Sequence, residues 1–118
     1  MIKSYRDLVV WQKAMELAVQ TYRLCRLLPG TERFGLVSQL QRAAVAIPAN
    51  LAEGHERRSR GDYRRYVSVA LGSLAEVETH LELVHRLEFA SSEATQGIEL
   101  LAAEVGRMLS ALLRRLKS

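Results

Sequence analysis

The residues best suited to chemistry are few, and their spacing limits what they can do. The chain has three histidines, His55, His80 and His85, and one cysteine, Cys25. Glu82-Leu83-Val84-His85 has the Glu-x-x-His spacing used by di-iron bundles, but such a site takes two of these motifs and two further inward glutamates. Only one motif is present here. Glu76 and His80 stand four apart, yet a single helix supplies too few ligands for a closed site. A solvated polar face accounts for all of these residues, so neither metal nor cofactor is expected. Cys25 falls on an apolar stripe and reads as a small core residue; alone, it has no partner for an intramolecular disulfide. No glycine-rich phosphate loop is present, since Gly61 and Gly72 stand alone. No nucleophile is spaced with a base. The chain reads as a non-enzyme.

The elements that would position these residues are helices. Apolar residues recur at alternating spacings of three and four, which keeps them on one helical face. The first stripe is Leu8, Trp11, Met15, Ala18, Tyr22 and Cys25, and the second is Val37, Leu40, Ala44, Ile47 and Leu51. The third is Val67, Ala70, Leu74, Val77, Leu81 and Val84, and the fourth is Ile98, Leu101, Val105, Met108 and Leu112. Trp11, Tyr22, Tyr63 and Tyr66 fall on helical faces as packing residues. Pro29-Gly30 ends the first helix. Ser59 with Asp62, and Ser91 before Glu93, are N-terminal signals for the third and fourth. The first helix is expected to start directly after Met1-Ile2-Lys3-Ser4. Short connections favour antiparallel neighbours, so residues 1–118 read as a single all-α domain, an up-and-down antiparallel four-helix bundle.

Pro48 interrupts the second stripe without ending it, because the pattern resumes at Leu51. Arg42, Asn50 and Glu53 are expected to form an internal polar network that satisfies backbone freed by Pro48. Two helices carry additional apolar stripes: Val10, Ala14, Leu17, Leu24 and Leu28 in the first, and Ala102, Leu109, Leu113 and Leu116 in the fourth. A monomeric bundle needs about one apolar face per helix, so the extra stripes point to self-association.

The topology sorts the charge. The pI is about 9.6 and the net charge +4, but the distribution is uneven. One end gathers Lys3, Arg6, Arg57, Arg58, Arg60, Arg64, Arg65, Arg114, Arg115 and Lys117 against Asp7, Glu56 and Asp62. The opposite end and the middle are each slightly acidic. Arg60, Arg64 and Arg65 crowd a helix N-terminus, where the macrodipole is already positive. A local rule broken without compensation points to function, and arginine suits bidentate phosphate contact. The basic end therefore reads as a surface for RNA or DNA, with Arg57, Arg58, Arg60, Arg64, Arg65, Arg114, Arg115 and Lys117 as the contacts. No apolar run reaches the ~20 residues of a membrane span, and no signal segment leads the chain, so the expected location is the cytoplasm.

Three segments carry a family resemblance: Tyr5 to Ala14 (YRDLVVWQKA), Leu36 to Gly54 (LVSQLQRAAVAIPANLAEG) and Ala70 to Glu76 (ALGSLAE). The chain resembles the four-helix-bundle family of 23S rRNA intervening-sequence proteins over most of its length. Ala46 stands where the motif usually has serine, and Leu51 where it has isoleucine. The resemblance implies an up-and-down bundle, a ring-like homopentamer, and in some members a gene inside an rRNA intervening sequence. A related bundle is the accessory variability determinant of diversity-generating retroelements, a pentamer that binds nucleic acid and a reverse transcriptase. No catalytic residues come with the family. The resulting expectation is a homo-oligomer that binds nucleic acid through its basic end, with a protein-interaction scaffold as the rival.

Overall fold

The computed structural model describes residues 2–117. Its helices are α1 (Val9–Cys25), α2 (Leu36–Glu56), α3 (Arg60–Arg86) and α4 (Ser92–Lys117), and no strand occurs among the described residues. Each helix packs on the next, and α1 also packs on α4, so the four occupy the corners of a closed square. Contacts between distant positions set the directions. Gly54 near the end of α2 meets Tyr63 and Tyr66 near the start of α3. Arg60 at the start of α3 reaches the last carbonyls of α4. Lys13 pairs with Glu104 across α1 and α4. Successive helices are therefore antiparallel, as expected, in a body of 43 × 24 × 21 Å.

The core runs the length of the square. Leu17, Leu40, Ile47, Leu51, Val67, Val77, Leu81, Val84, Val105 and Leu109 are fully buried; each such side chain contributes about 1.5–3 kcal/mol relative to exposure. Both additional stripes belong to this core. Val10, Ala14, Leu17, Leu24 and Leu28 of the α1 segment are all buried, as are Ala102, Leu109 and Leu116 of α4. They are not a surplus left for a partner, because a helix at the corner of a square touches two neighbours and buries a wide face. The large apolar residues that stay exposed on α1 are different: Met15 and Tyr22 of the first stripe, with Val9 and Val19.

The local signals are realised with small differences. A separate 3-10 turn at Tyr5–Asp7, closed by a Ser4–Asp7 capping box, precedes α1, so the helix does not start directly after Ser4. Ser59 caps α3 by accepting from the Asp62 amide at 3.0 Å, and Ser91 accepts from Ala94 at 3.2 Å. Helix α2 continues through Pro48. Gly54 is required by space: a Cβ there would stand 2.6 Å from the Tyr66 Cβ and 3.2 Å from the Tyr63 ring.

Candidate nucleic-acid interface

The end of the bundle that collects the 3-10 turn, the α2–α3 connection and the α4 C-terminus brings the eight basic residues into one region, but it uses them differently. The Arg57 guanidinium donates to Glu53 Oε1 at 2.8 Å and to the Tyr66 hydroxyl at 2.7 Å. Tyr66 in turn donates to Glu53 at 3.2 Å. Arg57 and Arg65 both lie over the Tyr66 ring, at 5.1 and 5.2 Å from its centroid. The hydrogen bond from Arg57, followed by that from Tyr66, holds the Glu53 carboxyl below its ordinary pKa.

Arg60, although exposed, reaches across to α4. It donates to the Leu116 carbonyl at 3.0 Å and the Arg115 carbonyl at 2.6 Å. Its charge therefore sits on the negative pole of α4 and serves carbonyls that the helix leaves without partners. The broken rule at the start of α3 is thus compensated, for this residue, by its neighbour. Arg65 stands 3.6 Å from Asp62. Arg58 and Arg64 are exposed and have no partner among the described residues. Arg114, Arg115 and Lys117 are exposed along the last turn of α4. Beneath them the Tyr63 hydroxyl is buried without a hydrogen-bond partner among the described residues, and burial raises its pKa against the opposing field of Arg115. The Tyr63 ring meets His55 edge-on at 5.6 Å.

Arg42, Asn50 and Glu53 do not form a common network. Arg42 is exposed on α2, and Glu53 is exposed with Arg57 and Tyr66 as its partners. Only Asn50 serves the backbone near Pro48, donating to the Ala46 carbonyl at 2.7 Å. Eight residues along a helix leave about 80° between Arg42 and Asn50, too wide an angle for a shared partner.

The histidines also depart from the expected solvated face. His80 buries both ring nitrogens without a partner among the described residues, while Glu76 points to solvent. His85 Nε2 lies 2.6 Å from Glu99 Oε1 and 2.9 Å from the hydroxyl of fully buried Thr95, tying α3 to α4. The His85 contact is the main cause that lowers the Glu99 pKa. Sequence spacing gives no sign of this contact, because its members lie on two helices. Among the described residues no three His, Cys, Asp or Glu side chains are placed to hold a metal. Cys25 is buried, and burial raises its thiol pKa to about 11. No helix among them is long and apolar enough to cross a membrane.

The family model of the 23S rRNA-intervening sequence protein matches residues 6–111. The chain belongs to this family. Among solved structures, a protein of unknown function from the S23 ribosomal protein family of Bacteroides thetaiotaomicron is 29% identical to this family member. It superposes with a TM-score of 0.83, over 89% of this chain and 98% of that one. No match was found among curated protein sequences. The matched region includes α2 with Pro48 and Gly54, and most of the basic end; Lys3, Arg114, Arg115 and Lys117 lie outside it.

Proposed function

We propose that this 23S rRNA-intervening sequence family member is a non-enzymatic, homo-oligomeric, cytoplasmic bundle that binds RNA or DNA through its basic end. The observation that carries the reading is the convergence of exposed Arg58, Arg64, Arg65, Arg114 and Lys117 from two chain regions on one end. Arg57 and Arg60 are structural members of that end, and Arg115 lies beside Tyr63. Contact is mainly with phosphates, so affinity is weakly sequence-dependent and falls with salt, with a log–log slope of about −0.7 per contact on single strands. The family description, which names an rRNA intervening sequence, supports RNA as the first ligand to try. A nucleic-acid enzyme such as a reverse transcriptase is a further partner on the same reading.

The test compares Arg58→Gln/Arg64→Gln with Arg33→Gln/Arg42→Gln in titrations of labelled single-stranded RNA over a salt series. The first pair is expected to weaken binding for all sequences and to flatten the salt slope; the second is expected to leave both nearly unchanged. Equal losses would mean that binding follows net charge alone. A wild-type protein that binds no nucleic acid at low salt would leave the protein-interaction scaffold reading.

A further inference from the structure

The 3-10 turn before α1 holds an arginine that the phosphate contacts leave out. Arg6 is exposed, and its guanidinium carbon lies 5.3 Å from the ring centroid of Tyr5 and 5.9 Å from that of Trp11. The two rings meet edge-on, 5.2 Å apart at 67°, and Trp11 packs against the core. The backbone at Arg6 is fixed on both sides. Its amide donates to Ser4 Oγ at 3.1 Å, and Gln12 Nε2 donates to its carbonyl at 2.9 Å. The neighbouring Asp7 carboxylate accepts from the Lys3 and Ser4 amides at 2.8 and 3.2 Å. The guanidinium N–H groups of Arg6 have no hydrogen-bond or ion-pair partner among the described residues.

A flat cation backed by rings, with its donors open, is suited to a flat ligand. It also loses less rotamer freedom on binding than an arginine that swings in water. The same end carries a second example: the Arg65 side chain is 65% exposed and lies over the Tyr66 ring. Arg57 shares that ring but commits its donors to Glu53 and the Tyr66 hydroxyl. Elsewhere among the described residues the only arginine over a ring is Arg33 on Phe34, at the opposite end. Phosphate contact needs no ring beneath the cation, whereas guanidinium planes and aromatic faces are what unpaired bases stack on.

We propose that the basic end selects single strands, with an unpaired base stacked on the Arg6 guanidinium that Tyr5 and Trp11 support. The proposal rests on the nucleic-acid reading above and names the form of its ligand. In a duplex each base face is covered by the next pair, so a guanidinium cannot lie against it; an unpaired base can leave the stack. Every base has a π-face, so stacking adds affinity without adding sequence preference. The stacking and phosphate contributions are separable by sign. A duplex carries phosphates more densely than a single strand, so phosphate contact alone favours the duplex. A preference for the single strand runs against charge and therefore reports the bases.

Titration of the full chain with three RNAs of equal length tests this: a single strand, the same strand in duplex, and a strand of abasic spacers. Trp11 is the only tryptophan of the chain, so its emission reports on the site directly. The single strand is expected to bind about tenfold tighter than either of the others at equal salt, and alone to change the Trp11 emission. Arg6→Lys keeps the charge but loses the plane. It is expected to lower single-strand affinity about five- to tenfold while leaving the salt slope and the abasic strand unaffected. Arg33→Lys is the control and should change nothing. Arg6 is exposed and its backbone bonds do not depend on its side chain, and circular dichroism checks that each variant remains helical. A wild type that binds none of the three RNAs at low salt overturns the nucleic-acid reading and this inference with it. Duplex or abasic RNA bound as tightly as the single strand overturns only the stacking. A single-strand preference with unchanged Trp11 emission, or with full affinity in Arg6→Lys, overturns Arg6 as its site, as does an equal loss in Arg33→Lys.

Discussion

At the basic end, Arg60 in the first turn of α3 reaches the last carbonyls of α4. At the opposite end, His85 in the last turn of α3 reaches Thr95 and Glu99 in the first turns of α4. The same helix pair is thus tied twice, once by a permanent cation on backbone and once by a titratable ring on side chains. The connections differ as well. The α2–α3 turn is made possible by a missing side chain at Gly54. The α3–α4 turn instead carries Glu88 at φ 59°, a left-handed position that usually falls to glycine. There the Phe89 amide donates to the Val84 carbonyl at 3.0 Å and the Glu88 amide to His85 at 3.0 Å. The basic end combines tight packing with an excess of exposed charge, whereas the far end tolerates backbone strain. The comparison shows that residue type alone does not separate a binding arginine from a structural one; the partner does.

The largest effect is expected from closing the Gly54 gap. Gly54→Ala places a methyl against the Cβ of Tyr66, which is backbone-fixed and has no flexible end to swing away. Overpacking of this kind costs about 1–3 kcal/mol, and chemical denaturation should place this variant at or above the middle of that range. Gly72→Ala, where nothing lies within 4 Å, is the control and should be neutral or slightly stabilising, because alanine is the better helix former. Equal stability of the two variants would mean that the α2–α3 approach is not close.

The next effect separates the arginines from one another. Arg60→Gln removes charged hydrogen bonds from two terminal carbonyls of α4, for which a loss of about 1–2 kcal/mol is expected. Arg64→Gln should leave stability unchanged, or raise it slightly by removing a cation from a helix N-terminus, while weakening RNA binding. Thermal melting and RNA titration on both variants read the split. If Arg60→Gln melts like wild type and only binding falls, Arg60 belongs with the exposed set after all.

How much of this was legible follows from distance along the chain. Ser59 and Ser91 act on amides three residues away, so their roles were readable locally. Arg60 acts on a carbonyl 56 residues away, and no spacing rule reaches that far. The four helices emerged from periodicity because each must bury one stripe. The second stripes on α1 and α4 misled because the width of a buried face depends on how many neighbours a helix touches. The exposed apolar groove lined by Met15, Val19, Tyr22 and Val45 crosses two helices that the periodicity of either one cannot connect. The basic end itself was legible, since topology alone places its members together.

At the far end a gain is expected. Glu88→Gly relieves a left-handed glutamate while leaving the two turn hydrogen bonds in place. Non-glycine residues pay roughly 1 kcal/mol in this region, partly offset by the greater freedom of glycine in the unfolded chain. A net stabilisation of about 0.5 kcal/mol is expected in urea denaturation. A destabilised variant would show that the Glu88 side chain contributes more than its backbone conformation costs.

The smallest effect is a pH dependence that distinguishes the two ties. The His85 contact, and secondarily Thr95, hold the Glu99 pKa below its ordinary 4.5. A carboxylate with a lowered folded pKa contributes stability that is fully present above its unfolded value and is lost as pH falls through the folded one. The Glu99 side chain is 46% exposed, so solvent screens the pair and the contribution stays within about 0.2–1 kcal/mol. Arg60 faces carbonyls, which do not titrate, so the basic-end tie adds no slope of its own in this range. Glu53 does add one of the same sign, since Arg57 and Tyr66 lower its pKa too; Glu53→Gln is therefore the paired control. Urea denaturation of wild type, Glu99→Gln and Glu53→Gln between pH 7 and pH 3 should show the steepest acid loss in wild type and a shallower one in each variant. Arg60→Gln should shift the whole curve down without changing its shape. Parallel curves for wild type and Glu99→Gln would mean that the His85–Glu99 contact does not bias the carboxylate, and the far end would then be held by Thr95 and packing alone.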